Sequence, residues 1–164
     1  MDISAGNFEF GTKRISDRLV VFMLDAMRYA LRLSCVERIV RVVEIAALPQ
    51  APEIVLGIIN VHGEIIPVLD IRKRFCLPES ELKLESHLVI ARTTRRRIAL
   101  AVDAAVGVVE CTAQNTTAGE KILPRLNYVQ GVVRLEDGLA LIHDLDTFLS
   151  LEEENILEQA MKLK

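Results

Sequence analysis

The sequence predicts a mainly β protein that consists of two similar β-units followed by a short C-terminal helix. Short apolar runs rich in Val and Ile recur between turn-forming residues, which is the pattern of strands joined in hairpins. Two of these hairpins recur, in the same order, later in the chain. With 164 residues, of which 51% are hydrophobic, the chain can bury a substantial core but is short for two full domains. We therefore expect the two units to pack into one structure.

The first predicted element is a hairpin. Residues 19–24 (LVVFML) form an apolar, β-branched run, and residues 28–33 (RYALRL) alternate polar and apolar side chains, with a turn at residues 25–26. Residues 36–47 fit both a helical and a strand period. Their β-branched density favours a strand over residues 40–45.

A second hairpin is predicted around a His62-Gly63 turn. Residues 58–61 and 65–69 are aliphatic runs on either side of this turn, and glycine tolerates the positive φ that tight turns need. Residues 71–75 (IRKRF) are short and charged, which is typical of a single helical turn.

The same pattern returns in the second half of the chain. Residues 88–91 and 98–102 predict a third hairpin, and residues 131–135 and 139–144 predict a fourth. Between these two hairpins, residues 112–128 indicate a long loop with one short ordered piece at Ile122-Leu123.

The C-terminus predicts a helix over residues 150–164. Ser150 and Glu153 have the spacing of a capping box, and Ile156, Leu157 and Ala160 follow at helical intervals.

An internal repeat supports the two-unit interpretation. Residues 57–61 match residues 131–135 at an offset of 74, and residues 28–33 match residues 97–102 at an offset of 69. Chance similarity between aliphatic strands is the alternative explanation. The matched pairs Gly57 with Gly131 and Asp70 with Asp144 count against chance, because composition alone seldom aligns such residues.

Composition and charge exclude several functions. The formal net charge of −3, from 20 basic and 23 acidic residues, gives no global positive field for nucleic acid, and 4% aromatic residues cannot supply a stacking surface. No apolar run is long enough to span a membrane, and no secretory signal is recognisable. No histidine spacing suggests a metal, and there is no phosphate-binding glycine loop or activated nucleophile. We expect a cytoplasmic protein that is not an enzyme and has no cofactor, no bound metal, no nucleic-acid partner and no direct membrane insertion.

The stretch LPQAPEIVLGIINVHGEIIPVLDIRKRF, residues 48–75, resembles the CheW family of bacterial chemotaxis coupling proteins. The resemblance extends over residues 18–149 and is most specific over residues 52–75. It implies two side-by-side five-stranded SH3-like β-barrels, from about 18–80 and 86–149, between an N-terminal extension (1–17) and the C-terminal helix. It also implies a non-enzymatic adaptor that couples the cytoplasmic tips of chemoreceptors to the regulatory domain of a CheA-type histidine kinase. Such an adaptor would be recruited to membrane-associated receptor arrays.

The resemblance also implies which residues contact partners. The sequence VERI resembles a family motif of valine, a variable residue, glutamate and isoleucine, with the motif displaced or substituted in this chain. The hairpin GIINVHG matches the family pattern G-I-N-L-R-G, with His62 in place of the arginine. Since histidine titrates near neutral pH, this replacement could alter partner choice or make the contact pH-sensitive. The expected contacts are Val36, Glu37, Ile39, Gly57, Val61, His62, Gly63, Val102 and Val108. For the valines, ordinary core packing is the competing interpretation.

Two alternatives remain open from the sequence. One is a CheW-like regulator of a different chemosensory pathway, which controls motility or development. The other is a small β-barrel that binds or transforms a ligand with His62 and His143. This second alternative requires both histidines to lie in one deep polar pocket.

Overall fold

The computed structural model describes residues 17–118 and 129–162 of the chain. Within them the strands are β1 (Asp17–Leu24), β2 (Met27–Arg32), β3 (Val36–Arg41), β4 (Val55–Val61), β5 (Glu64–Leu69), β6 (His87–Arg92), β7 (Arg97–Val102), β8 (Ala104–Cys111), β9 (Thr116–Ala118), β10 (Val129–Leu135) and β11 (Gly138–His143). The helices are α1 (Ile71–Arg74) and α2 (Leu151–Lys162), with 3₁₀ turns at Leu33–Cys35 and Leu145–Thr147. No helix in these two segments is long and apolar enough to cross a membrane.

The strands form two sheets, as the predicted fold class requires. Sheet A has the order β8-β1-β2-β11-β10-β9, and sheet B has the order β3-β6-β7-β5-β4. The mainly β architecture and the C-terminal helix are confirmed. Sheet A differs from the five-stranded expectation because Thr116–Ala118 adds a short sixth strand next to β10, inside the segment predicted as a loop.

The two sheets do not coincide with the two repeats of the sequence. Sheet A takes β1 and β2 from the first repeat and its remaining strands from the second, whereas sheet B takes β3, β4 and β5 from the first repeat and β6 and β7 from the second. Each repeat therefore gives its first hairpin to the sheet of the other, an arrangement that we call the hairpin exchange. The sheets consequently do not correspond to the predicted segments 18–80 and 86–149.

The repeat is visible in the geometry as well as in the sequence. The register shift in β4 between Val55 and Gly57 has its counterpart in β10 between Val129 and Gly131. The Asp70 carboxylate accepts a hydrogen bond from the backbone N–H of Arg72 at 3.2 Å, and Asp144 accepts one from Asp146 at 3.1 Å. The aligned aspartates of the sequence repeat thus accept the same backbone hydrogen bond twice, and the aligned glycines follow the same register shift.

Three predicted elements need correction or lie outside the description. The strand expected at residues 40–45 is β3, and it ends at Arg41 because the chain then leaves β6 and reaches β4. There Ala46 and Ile58 exchange backbone hydrogen bonds of 2.9 and 2.8 Å. β8 was not predicted as a strand, because its exposed valines conceal the usual alternation. The ordered piece expected at Ile122-Leu123 lies outside the described residues.

The buried apolar residues form three clusters, and one of them joins the two sheets and α2. One cluster draws only on sheet A and includes Leu19, Val21 and Ile142. Another draws only on sheet B and includes Ile59, Ile66 and Leu88. The largest draws on both sheets and on α2, and includes Phe22, Leu24, Leu100, Phe148 and Leu157. Shared apolar burial therefore fixes the position of one sheet relative to the other.

A buried arginine, Arg72, joins the two exchanged hairpins. It is 6% exposed, and its guanidinium donates to Asp25 Oδ1 at 2.9 Å and to both carboxylate oxygens of Asp103 at 2.8 and 2.7 Å. Asp25 lies in the β1–β2 turn and Asp103 follows β7. Burial lowers the pKa of Arg72, but the hydrogen bonds and charges of Asp103 and Asp25 outweigh burial and raise that pKa above its usual value.

Candidate partner-binding site

Two equivalent edge strands carry several of the residues predicted to contact partners. β3 is an edge of sheet B and β8 is an edge of sheet A, and each pairs with the first strand of the other repeat's hairpin. An edge strand presents backbone groups that can pair with another chain, so both are potential docking elements.

On β3, the side chains of Glu37 and Ile39 reach the surface. Ile39 is 36% exposed, and Glu37 Oε1 forms an ion pair with Arg97 Nε at 2.8 Å. Val36 is half-buried and packs against the cluster between the sheets. The predicted trio therefore divides into two surface residues and one residue that belongs mostly to the core.

The β4–β5 turn presents His62 and Gly63 to solvent. Asn60 Oδ1 accepts a hydrogen bond from the Gly63 N–H at 2.8 Å, and His62 adopts a left-handed φ of 52°. Val61 is half-buried against the cluster inside sheet B. The hydrogen bond to Asn60 and the packing of Val61 therefore fix the conformation of the turn, and the imidazole of His62 remains exposed.

A cleft of about 220 Å³ brings the β3 edge and this turn together. It is lined by Glu37, Arg38, Val61, His62, Glu64, Ile66, Ile90 and Arg97. At its rim, Arg97 pairs with both Glu37 and Glu64. The interaction with the accepting carboxylate of Glu37, followed by the charges of Glu37 and Glu64, raises the pKa of Arg97.

Arg38 is a site residue that the sequence analysis missed. Its Nη1 atom lies 3.0 Å from His62 Nε2. Because a guanidinium can only donate, a hydrogen bond between these two atoms has Nε2 as its acceptor. The available signal was that VERI and His62 both depart from the pattern that the resemblance implies. The structure places these two departures in contact.

Two of the predicted contacts lie in the interior. An added Cβ at Gly57 would lie 2.3 Å from the carbonyl oxygen of Ala46, so the glycine permits a close backbone approach. Val102 is 1% exposed and packs in the cluster between the sheets. Both residues are buried in the structure and support the strands around the site.

Val108 lies on a separate surface, at the edge of sheet A. Val106 and Val108 are 50% and 55% exposed on β8, and an added Cβ at Gly107 would meet nothing within 4 Å. We call Val106, Gly107 and Val108 the β8 edge surface.

The residues on β3 and in the β4–β5 turn form a second surface, which we call the β3–turn surface. It comprises Glu37, Arg38, Ile39, His62 and Gly63.

The two histidines of the ligand-binding alternative do not share a cavity in the part of the chain that the structure describes. His143 is 3% exposed and stacks on Phe75, with ring centroids 4.4 Å apart. It lines a cavity of about 340 Å³ beside Asp144, whereas His62 lines the cleft at the β3–turn surface. The geometry that this alternative requires is therefore not found among these residues.

Comparison with known proteins gives a consistent family. A family model described as the CheW-like domain matches residues 18–153. The chain is 27% identical to the chemotaxis protein CheW of Treponema pallidum over 83% of this chain and 84% of that protein. It is 26% identical to the chemotaxis protein CheW of Bacillus subtilis, over 85% and 90%. The crystal structure of the scaffolding protein TtCheW from Thermoanaerobacter tengcongensis superposes with a TM-score of 0.76 and 27% identity, covering 85% of this chain and 96% of that one.

Proposed function

The chain belongs to the CheW family, and from this membership we propose that it is a chemotaxis adaptor that couples chemoreceptors to a CheA-type histidine kinase. The observation that carries the proposal is the family match over residues 18–153, which includes both surfaces described above. The proposed partners are the regulatory domain of the kinase and the cytoplasmic tip of a receptor, with the adaptor held in the cytoplasm at receptor arrays.

An adaptor must bind two partners at the same time, and the positions of the two surfaces support this. The β3–turn surface lies on sheet B, and the β8 edge surface lies on sheet A. One combines an exposed Ile39 with charged neighbours, and the other is almost wholly aliphatic until Glu110. Two chemically different surfaces on different sheets suit two different partners.

The experiment is reconstitution with the kinase and a receptor fragment of the same organism. The full chain is expected to sediment with both proteins in a ternary complex. Ile39→Asp and Val108→Asp are each expected to weaken binding of one partner and leave the other unchanged. Leu84→Asp is the matched control, because Leu84 is 90% exposed and lies on neither surface.

Two outcomes would count against the proposal. If the unmodified chain binds neither the kinase nor the receptor fragment, it is not an adaptor between them. If Ile39→Asp and Val108→Asp behave like Leu84→Asp, the two surfaces are not the docking sites.

A further inference from the structure

We propose that the β3–turn surface selects a protein partner that presents an acidic side chain where Arg38 and His62 meet. The inference rests on the proposed function and deepens it by naming the chemistry of the partner at this surface.

The contact between Arg38 and His62 is positively charged. Arg38 is a permanent cation that lies 3.0 Å from His62 Nε2, and a histidine adds no negative charge, so the pair carries a positive net charge. The point where these two side chains meet is therefore positive.

The acidic side chains of the cleft already have an ion-pair partner. Glu37 and Glu64 are both paired with Arg97 on the other side of the same cleft. Arg38, by contrast, forms no ion pair with a residue in the described ranges, and Arg41 at the end of β3 is also exposed. The charge of this cleft that has no ion-pair partner is therefore positive and lies on Arg38, opposite His62.

The group on the partner that best fits Arg38 is a carboxylate. A guanidinium offers five N–H donors, and His62 uses only one, so a carboxylate can bind the remaining donors in a forked geometry. Val61, half-buried, lines the same cleft and offers an aliphatic contact next to that carboxylate. A multiply charged phosphate would meet Glu37 and Glu64 in the same cleft, which favours a single carboxylate. The partner therefore has Asp or Glu beside an aliphatic residue.

The experiment measures dissociation constants of the full chain for the kinase and for the receptor fragment separately. Arg38→Gln is expected to weaken binding of one partner about tenfold, the usual cost of losing a hydrogen bond to a charged group. Arg38→Glu is expected to weaken it further, because two carboxylates then face each other. Arg95→Glu is the control, since Arg95 is exposed in the β6–β7 turn and the change in net charge is identical.

A double variant distinguishes the effect of the charge at residue 38 from the effect of its pairing with residue 62. Arg38→Glu with His62→Arg creates an oppositely charged pair at these two positions, yet it is expected to stay weak for the native partner. A lysine substitution of the partner's contacting acid is expected to recover binding to Arg38→Glu. Circular dichroism and the melting temperature establish that each variant folds.

The outcomes are distinguishable from failure of the adaptor function. If the unmodified chain binds both partners and Arg38→Glu binds as tightly, the inference is wrong and the adaptor function stands. If the double variant recovers full affinity, the internal pair is what matters, and the inference is again wrong. If inorganic phosphate at millimolar concentration competes with the partner, the site recognises phosphate instead. A chain that binds neither partner overturns the proposed function and this inference together.

Discussion

Gly57 illustrates how the absence of a side chain can determine the path of a strand. An added Cβ would lie 2.3 Å from the Ala46 carbonyl oxygen and 2.8 Å from a methyl group of Ile45. That carbonyl cannot move freely, because it accepts the backbone hydrogen bond of Ile58 at 2.8 Å. The glycine therefore holds the crossing chain against β4, below the exposed turn at His62.

Gly57→Ala is expected to lower the free energy of unfolding by about 3 kcal/mol, the upper range for overpacking against atoms that cannot yield. Gly107→Ala is the matched control: its φ of 155° is close to the 158° of Gly57, but nothing lies within 4 Å of its added Cβ. It is expected to cost about 1 kcal/mol from backbone strain alone. Urea unfolding measures both, and equal losses would show that the close approach is unimportant.

Arg72→Met is expected to destabilise the protein by about 2 kcal/mol. The loss is smaller than for a fully buried pair, because Asp25 and Asp103 are 43% and 40% exposed and can be hydrated once the arginine is gone. Lys73→Met, on the same helical turn, is expected to change stability by less than about 0.5 kcal/mol. Thermal unfolding of both variants gives the comparison, and a similar loss in both would contradict a bracing role for Arg72.

At this scale, motif matching identifies important residues without specifying how they act. Gly57 and Val102 were expected at a partner contact and instead lie in the interior. A sequence pattern does not reveal whether a side chain faces solvent when both faces of a strand are aliphatic. Arg38 was missed for a related reason, since its contact with His62 joins strands that are distant in sequence.

Among the elements, α2 is specified locally and fixed by tertiary contacts. Ser150 and Glu153 form the predicted capping box: Ser150 N–H donates to Glu153 Oε1 at 2.8 Å, and Glu153 N–H donates to Ser150 Oγ at 3.1 Å. The same carboxylate accepts from Arg74 at 2.6 Å, which links the helix to α1. Burial raises the pKa of Glu153, but its hydrogen bonds with Ser150 and Arg74 outweigh burial and lower that pKa overall.

A lowered carboxyl pKa predicts a stabilisation that is present at neutral pH and is lost on acidification. Below about pH 4.3, where an unperturbed glutamate becomes protonated, the contribution of Glu153 is expected to decline as the folded carboxylate also takes up its proton. Glu153→Gln is therefore expected to cost about 1 kcal/mol at pH 7 and almost nothing near pH 3. Glu152→Gln, exposed in the same turn, serves as the control in denaturant titrations at both pH values. A cost for Glu153→Gln that does not change with pH would contradict the argument.

The hairpins were predictable because their signals are local. The turns at Asp25 and at His62 lie between aliphatic runs, and the strands pair directly across them. β3 and β8 were harder to predict, since each pairs with a strand from the other repeat. An edge strand of this kind has neither a turn nor a strict alternation to mark its ends.

At the scale of the whole molecule, the hairpin exchange makes the two sheets mutually dependent. Sheet A needs β1 and β2 from the first repeat, and sheet B needs β6 and β7 from the second. The offsets of 74 and 69 would be the same if each repeat kept its own hairpin. The sequence therefore predicts two related units but cannot predict that they interlock.

Interlocked sheets are expected to unfold in a single transition. Scanning calorimetry is expected to give one peak, with a calorimetric enthalpy equal to the van't Hoff enthalpy. Gly57→Ala, although confined to sheet B, is expected to shift that peak to lower temperature without splitting it. Two resolved peaks in either protein would indicate that the sheets melt separately.

The hairpin exchange also sets an order of events while the chain is being made. β1 and β2 emerge first, but their sheet neighbours β8 and β11 are translated only after the rest of the first repeat and the hairpin that follows it. At about 5–20 residues per second, this interval lasts several seconds. During it, Leu19, Val21 and Phe22, which are all fully buried in the finished protein, have no sheet to cover them. We therefore expect the nascent chain to be a natural client of chaperones that shield apolar segments on the ribosome.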